Sequence, residues 1–168
     1  MIHPKYVIRY QQMKQVIYYI LCILLLAGIV SCDRKRVFEA YEQLDGQGWN
    51  KDSVVVFHVP LSDTTRNHNL YVNIRNKGTY PYSNLWLFLT IGSPDGKLLT
   101  DTVEFSLAEA SGRWKGSGIG DLHDNQILYK SSVYFPHKGE YTFQIKQGMR
   151  DNVLEGIRDV GLRIEKTY

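Results

Sequence analysis

The chemistry indicated most clearly by this 168-residue sequence is lipid attachment at Cys32. This cysteine follows the residues 29–31 (Ile-Val-Ser), and small or modest side chains before a cysteine form the lipobox of bacterial lipoproteins. Such a cysteine receives a diacylglyceryl group on sulfur, becomes the first residue after cleavage, and is acylated, for example with palmitate, on its new amino group. Two or three acyl chains hold a protein to a membrane far more firmly than one. Cys32 is therefore the predicted lipid-attachment residue.

Residues 1–31 have the features of a lipoprotein signal peptide. Lys5, Arg9 and Lys14 are accompanied by no acidic residue, and residues 16–30 are then almost entirely apolar. A basic segment followed by an apolar run of this length is typical of export signals, whereas a bilayer-spanning helix needs about 20 residues. The sequence predicts that this segment is cleaved; the alternative is an uncleaved signal anchor with an incidental cysteine.

The mature chain predicted by this cleavage has no net charge. The whole chain has 20 Lys+Arg and 17 Asp+Glu, and residues 32–168 retain 17 of each kind. No surplus of basic side chains is left to neutralise phosphates, so nucleic acid is not an expected partner. Cys22 leaves with the signal peptide and lipid occupies the sulfur of Cys32, so no disulfide is expected.

No catalytic or cofactor motif occurs in the sequence. The nearest approach to a metal cluster is the run Asp121-Leu-His-Asp124, which could supply oxygen and nitrogen ligands. Because the sequence offers it no partner ligands elsewhere, we interpret the run as a solvated acidic loop. No catalytic residue, metal or cofactor is predicted, and the protein is expected not to be an enzyme.

Four large aromatic rings near predicted loops are candidate contact residues. Rings at the rim of a β-domain can stack on sugars or anchor a protein partner. The alternative, which the sequence favours, is that they cap the core from the loops. The four residues are Tyr80, Tyr82, Trp86 and Trp114.

The elements that must position these residues are predicted to be short β-strands. Seven segments combine β-branched and aromatic residues with period-2 patterns and are separated by glycine- and proline-bearing turns: 53–59, 69–75, 85–91, 98–107, 127–135, 140–146 and 157–166. The segment 85–91 is apolar on both faces and predicts a central strand that is covered on both sides or lies under a docked loop.

About seven or eight such strands predict an all-β fold, an antiparallel β-sandwich of jelly-roll or immunoglobulin-like type over residues 51–168. A closed β-barrel is the alternative. Residues 32–50 are expected to form the lipid anchor and a tether, which docks onto the domain through Tyr41, Leu44 and Trp49.

An ordered series of short motifs behind the lipobox carries a family resemblance. The motifs are Tyr80-Pro-Tyr-Ser-Asn-Leu85, Ser93-Pro-Asp-Gly96, Gly112-Arg-Trp-Lys-Gly-Ser-Gly118 and the closing run Gly156-Ile-Arg-Asp-Val-Gly-Leu-Arg-Ile164. In this order the chain resembles the gliding motility lipoprotein GldH family of the Bacteroidetes over nearly its whole length. The resemblance implies a non-enzymatic envelope lipoprotein linked to cell movement and to the secretion of surface adhesins, with other gliding or secretion proteins as partners. It carries over one functional residue, Cys32.

The residues directly after Cys32 predict the side of the membrane that the anchored protein faces. Surface-exposed lipoproteins of this phylum tend to carry acidic residues there, whereas Asp33-Arg-Lys-Arg36 is mostly basic, so we expect an anchor that faces the periplasm, on the inner or the outer membrane. The three basic residues either lie against lipid headgroups or form a solvated linker. A glycan- or small-ligand-binding module that uses the four aromatic residues is the alternative function.

Overall fold

The computed structural model describes residues 14–15, 17–20 and 33–167. The predicted lipid-attachment residue and most of the predicted signal peptide lie outside these residues. The chain divides into two compact units, Met1–Arg34 and Lys35–Tyr168. In the first unit, the described residues 14–15 and 17–20 are helical. Among the residues that the structure describes, no helix is long and apolar enough to cross a bilayer.

The second unit is built from ten β-strands. In chain order they are β1 (Arg36–Gln43), β2 (Trp49–Asn50), β3 (Val55–Leu61), β4 (Asn67–Lys77), β5 (Asn84–Gly92), β6 (Leu98–Ser106), β7 (Leu122–Tyr134), β8 (Gly139–Gln147), β9 (Val153–Leu154) and β10 (Ile157–Lys166). Each of the seven predicted segments lies on one of these strands, although the bounds differ by a few residues.

The strands form two four-stranded antiparallel sheets. The β1 sheet has the order β1-β10-β4-β7, the β3 sheet has the order β3-β8-β5-β6, and the short strands β2 and β9 pair with each other. With β2 and β9 set aside, the eight long strands are distributed between the sheets as in a jelly roll. The predicted antiparallel sandwich is confirmed in its jelly-roll form, and the described strands do not close into a barrel.

The core lies between the two sheets and follows from the period-2 pattern. Strand side chains alternate between faces, so every second residue of β3, β4, β8 and β10 points inward. Leu70, Val72 and Ile74, which the sequence placed on one face, are fully buried. The sheets therefore bury continuous rows of aliphatic and aromatic side chains against each other.

The structure differs from the predicted tether, because residues 36–50 belong to the sandwich. Strand β1 pairs with β10 along its whole length, from Arg36 opposite Glu165 to Gln43 opposite Asp159. The Trp49 side chain is buried in the core and its Nε1–H donates to the Ser53 carbonyl at 3.2 Å. The folded domain thus begins at Arg36.

Strand β5 also differs from its prediction. It is central in the β3 sheet, between β8 and β6, but its side chains alternate between buried and exposed. Trp86 and Phe88 point away from the core and stay exposed. The apolar outer face of β5 is partly covered, by the chain after β8 at Gly148 and Met149.

The connections between the strands lie at two opposite ends of the sandwich. At the near end, where β1 begins, the connections are 62–66, 93–97 and 135–138. The pairs that close this end are Arg36 with Glu165, Asn67 with Tyr134, Leu61 with Gly139, and Gly92 with Leu98. At the far end the connections are 44–48, 51–54, 78–83, 107–121, 148–152 and 155–156.

Candidate functional site

Tyr80, the first of the four aromatic candidates, is a core residue at the far end. Its ring is buried, and its hydroxyl donates to the Asn84 carbonyl at 2.9 Å. Burial, chiefly, raises the pKa of this phenol well above its usual range. Gly156 lies against the Tyr80 backbone with a φ of +83°, and a Cβ there would be 2.7 Å from the Tyr80 Cα. The ring is therefore locked in place and offers no face to a ligand.

Tyr82 and Trp114 pack around Tyr80. The Tyr82 ring meets Tyr80 edge-on, with centroids 5.8 Å apart and planes at 73°, and Trp114 lies 6.2 Å from Tyr80 at 44°. The Tyr82 hydroxyl donates to Asp151 Oδ2 at 2.7 Å, and this hydrogen bond raises the pKa of the phenol. Trp114 also lies over His123, with ring centroids 5.7 Å apart. These rings are mutually tilted and do not form the flat platform on which sugars stack.

Trp86 lies apart from these three rings, on the outer face of the β3 sheet. Its side chain is 38% exposed, that of Phe88 is 42% exposed, and Val54 and Val56 are exposed to a similar degree. We call these four residues the outer patch; strand β8 lies between its aromatic pair and its valine pair and contributes Gln144 and Lys146 to the same face. Its aromatic part is backed by the chain after β8, because the Gly148 N–H donates to the Trp86 carbonyl at 2.7 Å and a Cβ at Gly148 would be 3.2 Å from Phe88.

Sequence reasoning identified Trp86 but missed the other three members of the outer patch. The double-sided apolar run 85–91 was interpreted as a central strand covered on both sides or under a docked loop, and the valine run 54–56 as part of a strand with no face assigned. The signal that could have found the patch is the strand period itself: if Leu85, Leu87 and Leu89 face the core, Trp86 and Phe88 must face outward.

The residues 121–124, which the sequence placed in a solvated loop, lead into and begin strand β7, and their side chains have structural partners. The Asp121 Oδ1 accepts from the Gly78 N–H at 3.0 Å, Asp124 Oδ2 accepts from Arg75 Nε at 2.9 Å, and His123 stacks on Trp114. Among the residues that the structure describes, no three His, Cys, Asp or Glu side chains gather in a group that could hold a metal ion.

A network of charges covers part of the outer face of the β1 sheet, and sequence reasoning did not foresee it. Arg75 lies 4.2 Å over the Tyr41 ring and pairs with Asp124 at 2.9 Å and Asp159 at 3.7 Å. The hydrogen bond to Asp124 is the main cause that raises the pKa of Arg75. Tyr41 in turn lies across Gly161, where a Cβ would be 2.8 Å from the ring. These contacts fasten β1 to its sheet.

Comparison with known proteins gives two close relatives. A family model described as GldH lipoprotein matches residues 36–164. The gliding motility lipoprotein GldH of Flavobacterium johnsoniae is 44% identical over 153 residues, which cover 86% of this chain and 94% of that protein. The gliding motility lipoprotein GldH homolog of Christiangramia forsetii is 43% identical over 144 residues, which cover 82% of this chain and 88% of that protein.

Solved structures give more distant likenesses. The VP2 subviral particle of infectious bursal disease virus matches with a TM-score of 0.38 and 13% identity, over 82% of this chain. This chain spans 34% of the VP2 chain.

Proposed function

The chain belongs to the GldH lipoprotein family, and on that premise we propose that it is a membrane-anchored, non-enzymatic component of the gliding motility apparatus and of the secretion linked to it. The observation that supports the proposal most is the extent of the family match. It runs from Arg36, the first residue of β1, to Ile164 near the end of β10, and so includes both sheets. The names of the two relatives describe motility and no reaction.

The anchor in this proposal is lipid on Cys32. The lipobox and the basic and apolar segments before it support this assignment. We place the sandwich in the cell envelope on the periplasmic side, because the residues after the cysteine are mainly basic.

The working surface in this proposal is the outer patch. Trp86 and Phe88 are large, partly exposed rings two residues apart on a flat sheet face, and aromatic side chains of this kind dominate the binding energy of protein interfaces. An exposed apolar cluster on a folded domain commonly marks a protein contact. We assign this surface to binding of other envelope proteins of the gliding or secretion apparatus.

The proposal is tested by deleting the gene in a strain that glides and returning it as variants. Wild type should restore colony spreading and adhesin secretion. Cys32→Ser should leave the protein out of the membrane fraction and should not restore spreading. The double variant Trp86→Ser, Phe88→Ser should remain membrane-bound but restore spreading poorly.

The matched control is Leu128→Ser, which removes an apolar residue of similar exposure from the outer face of the β1 sheet and should behave as wild type. Normal gliding after gene deletion would disprove the motility role. Membrane retention of Cys32→Ser would disprove the anchor, and equal effects of the two surface changes would disprove the assignment of the outer patch.

A further inference from the structure

The distance between the predicted lipid and the folded domain is very short. Strand β1 begins at Arg36, and the residue before it is already fixed to the sheet, because the Lys166 N–H donates to the Lys35 carbonyl at 2.9 Å. Three steps along the chain separate Cys32 from Lys35, and consecutive Cα atoms are about 3.8 Å apart, so the chain spans about 11 Å at most. The near end of the sandwich therefore cannot move far from the membrane that holds Cys32.

Apolar side chains are exposed at this same end. Leu98 is 73% exposed, Leu99 50% and Tyr134 56%. The three residues line one cleft of about 330 Å³ between the β5–β6 turn and the β7–β8 connection. Leucine at the boundary of headgroups and acyl chains gains from removal from water, and tyrosine rings are enriched at that depth.

The net charge differs between the two ends of the sandwich, although the mature chain as a whole has no net charge. With the connections and the terminal residue of each strand counted, the near end carries two acidic residues and five basic residues: Arg36, Arg66, Lys97, Lys138 and Lys166. The far end, counted in the same way, carries five basic and six acidic residues. Basic side chains near an anionic lipid surface are each attracted by about 1 kcal/mol.

We propose that the near end of the sandwich is a membrane-docking surface, on which the cleft of Leu98, Leu99 and Tyr134 rests among the lipid headgroups inside a rim of basic side chains. This inference rests on the proposed lipid anchor at Cys32. The occupant is the bilayer because the anchor holds it within reach and because the charge of the rim complements that of anionic lipid. The outer patch and the aromatic rings of the far end are then held away from the lipid.

The test measures the depth of single labelled positions in the full lipidated protein. Cys22 is removed with the signal peptide and the sulfur of Cys32 is blocked by lipid, so an added cysteine is the reactive one. Leu98→Cys and Tyr134→Cys report on the near end, and Ile119→Cys, at a residue 96% exposed in the loop 107–121, is the control at the far end. All three positions are exposed, so none of the substitutions disturbs the core.

Each variant carries a fluorophore and is reconstituted into vesicles of phosphatidylethanolamine and phosphatidylglycerol. Doxyl-labelled lipid quenches the fluorescence of a label that lies in the membrane, and iodide quenches the fluorescence of a label that is exposed to water. The nine residues of β6 place the far end about 30 Å from the near end, which is beyond the reach of a lipid-borne quencher. We expect strong doxyl quenching and weak iodide quenching at 98 and 134, and the reverse at 119.

Equal responses at the three positions would overturn the docking surface while the anchor stands. Protection of 98 and 134 from both quenchers would also overturn it, because the near end would then be covered by a second copy of the chain. Failure of the protein to associate with the vesicles would remove the anchor, and the docking surface with it. The spreading test of the outer patch does not depend on any of these outcomes.

Discussion

At the scale of single residues, His68 is the least expected member of the core. It lies on β4, fully buried, with its ring 5.4 Å from that of Phe135, and neither ring nitrogen has a hydrogen-bond partner. Burial is the main cause that lowers the pKa of His68 below its ordinary value of 6.5; the carboxylate of Asp63 and the backbone of Arg66 and Val133 oppose this only in part. The native state therefore holds this histidine neutral in apolar surroundings.

This predicts a pH dependence of stability. Between neutral pH and about pH 5 the unfolded chain takes up a proton at His68 before the folded chain does, so the free energy of unfolding falls as the pH drops through 6.5. His68→Leu keeps an apolar side chain and cannot titrate, so its stability should change less over this range. Urea unfolding at pH 7.5 and pH 5.0 measures the difference.

The matched control is His58→Gln, because His58 lies on β3 with an exposed side chain beside Glu140. This variant should lose stability on acidification as wild type does. An unchanged pH dependence in His68→Leu would show that the proton is taken up elsewhere. The measurement stays above pH 5, because carboxylates of lowered pKa such as Asp63 and Asp101 titrate in more acidic solution and would add their own loss of stability.

At the scale of elements, the sequence was sufficient wherever one face of a strand meets the core. The period-2 segments 69–75, 85–91 and 98–107 predicted β4, β5 and β6, and the glycine- and proline-bearing turn expected between the last two joins β5 to β6. Both signals are local, since side-chain period and turn chemistry depend on neighbouring residues alone.

Strand β1 escaped prediction because its contacts are not local. Apolar side chains on both of its faces find partners, so no alternation is visible: Phe38 packs on Phe57 in the core, while Tyr41 lies on the outer face across Gly161. A glycine more than a hundred residues away decides whether the Tyr41 ring fits. The aromatic candidates show the same limit, because the sequence placed them near loops but could not tell the buried Tyr80 from the exposed Trp86.

This predicts the result of truncation at the residue where the sequence had placed the domain boundary. A chain of residues 51–168 lacks β1 and the buried Trp49, so it exposes the edge of β10 and leaves a cavity in the core. Loss of a buried Trp side chain alone costs about 3–5 kcal/mol, against a typical total stability of about 5–15 kcal/mol. We expect no cooperative urea transition, whereas a chain of residues 33–168 should unfold cooperatively. Equal midpoints would mean that β1 is dispensable.

At the scale of the whole molecule, the neutral charge of the predicted mature chain conceals a difference between the two ends of the sandwich. The jelly roll collects the connections between strands at two opposite ends, so residues far apart in sequence, such as Arg66 and Lys138, come to lie at the same end. A count of charged residues along the sequence does not reveal this difference in charge. In the docking proposal, this fold gives a chain with no net charge one end that favours an anionic surface and another that favours water.

Equal charge changes at the two ends of the sandwich should have unequal effects on binding to anionic vesicles. In an acyl-free chain of residues 33–168, Arg66→Gln with Lys138→Gln should weaken binding to anionic vesicles in 0.1 M salt by about 30-fold, because each lost charge is worth about 1 kcal/mol. The matched pair at the far end is Arg113→Gln with Lys115→Gln. All four residues are exposed, and Arg113 pairs with Glu109 as Arg66 pairs with Asp63.

Vesicle co-sedimentation gives both affinities. The far-end pair should bind as wild type does, since its charges lie well beyond the Debye length of about 10 Å in 0.1 M salt when the near end is docked. Equal weakening by both pairs would show that the chain meets the surface in no fixed orientation. Weakening by the far-end pair alone would show that it docks by the opposite end, which the short chain between Cys32 and Arg36 does not allow in the anchored protein.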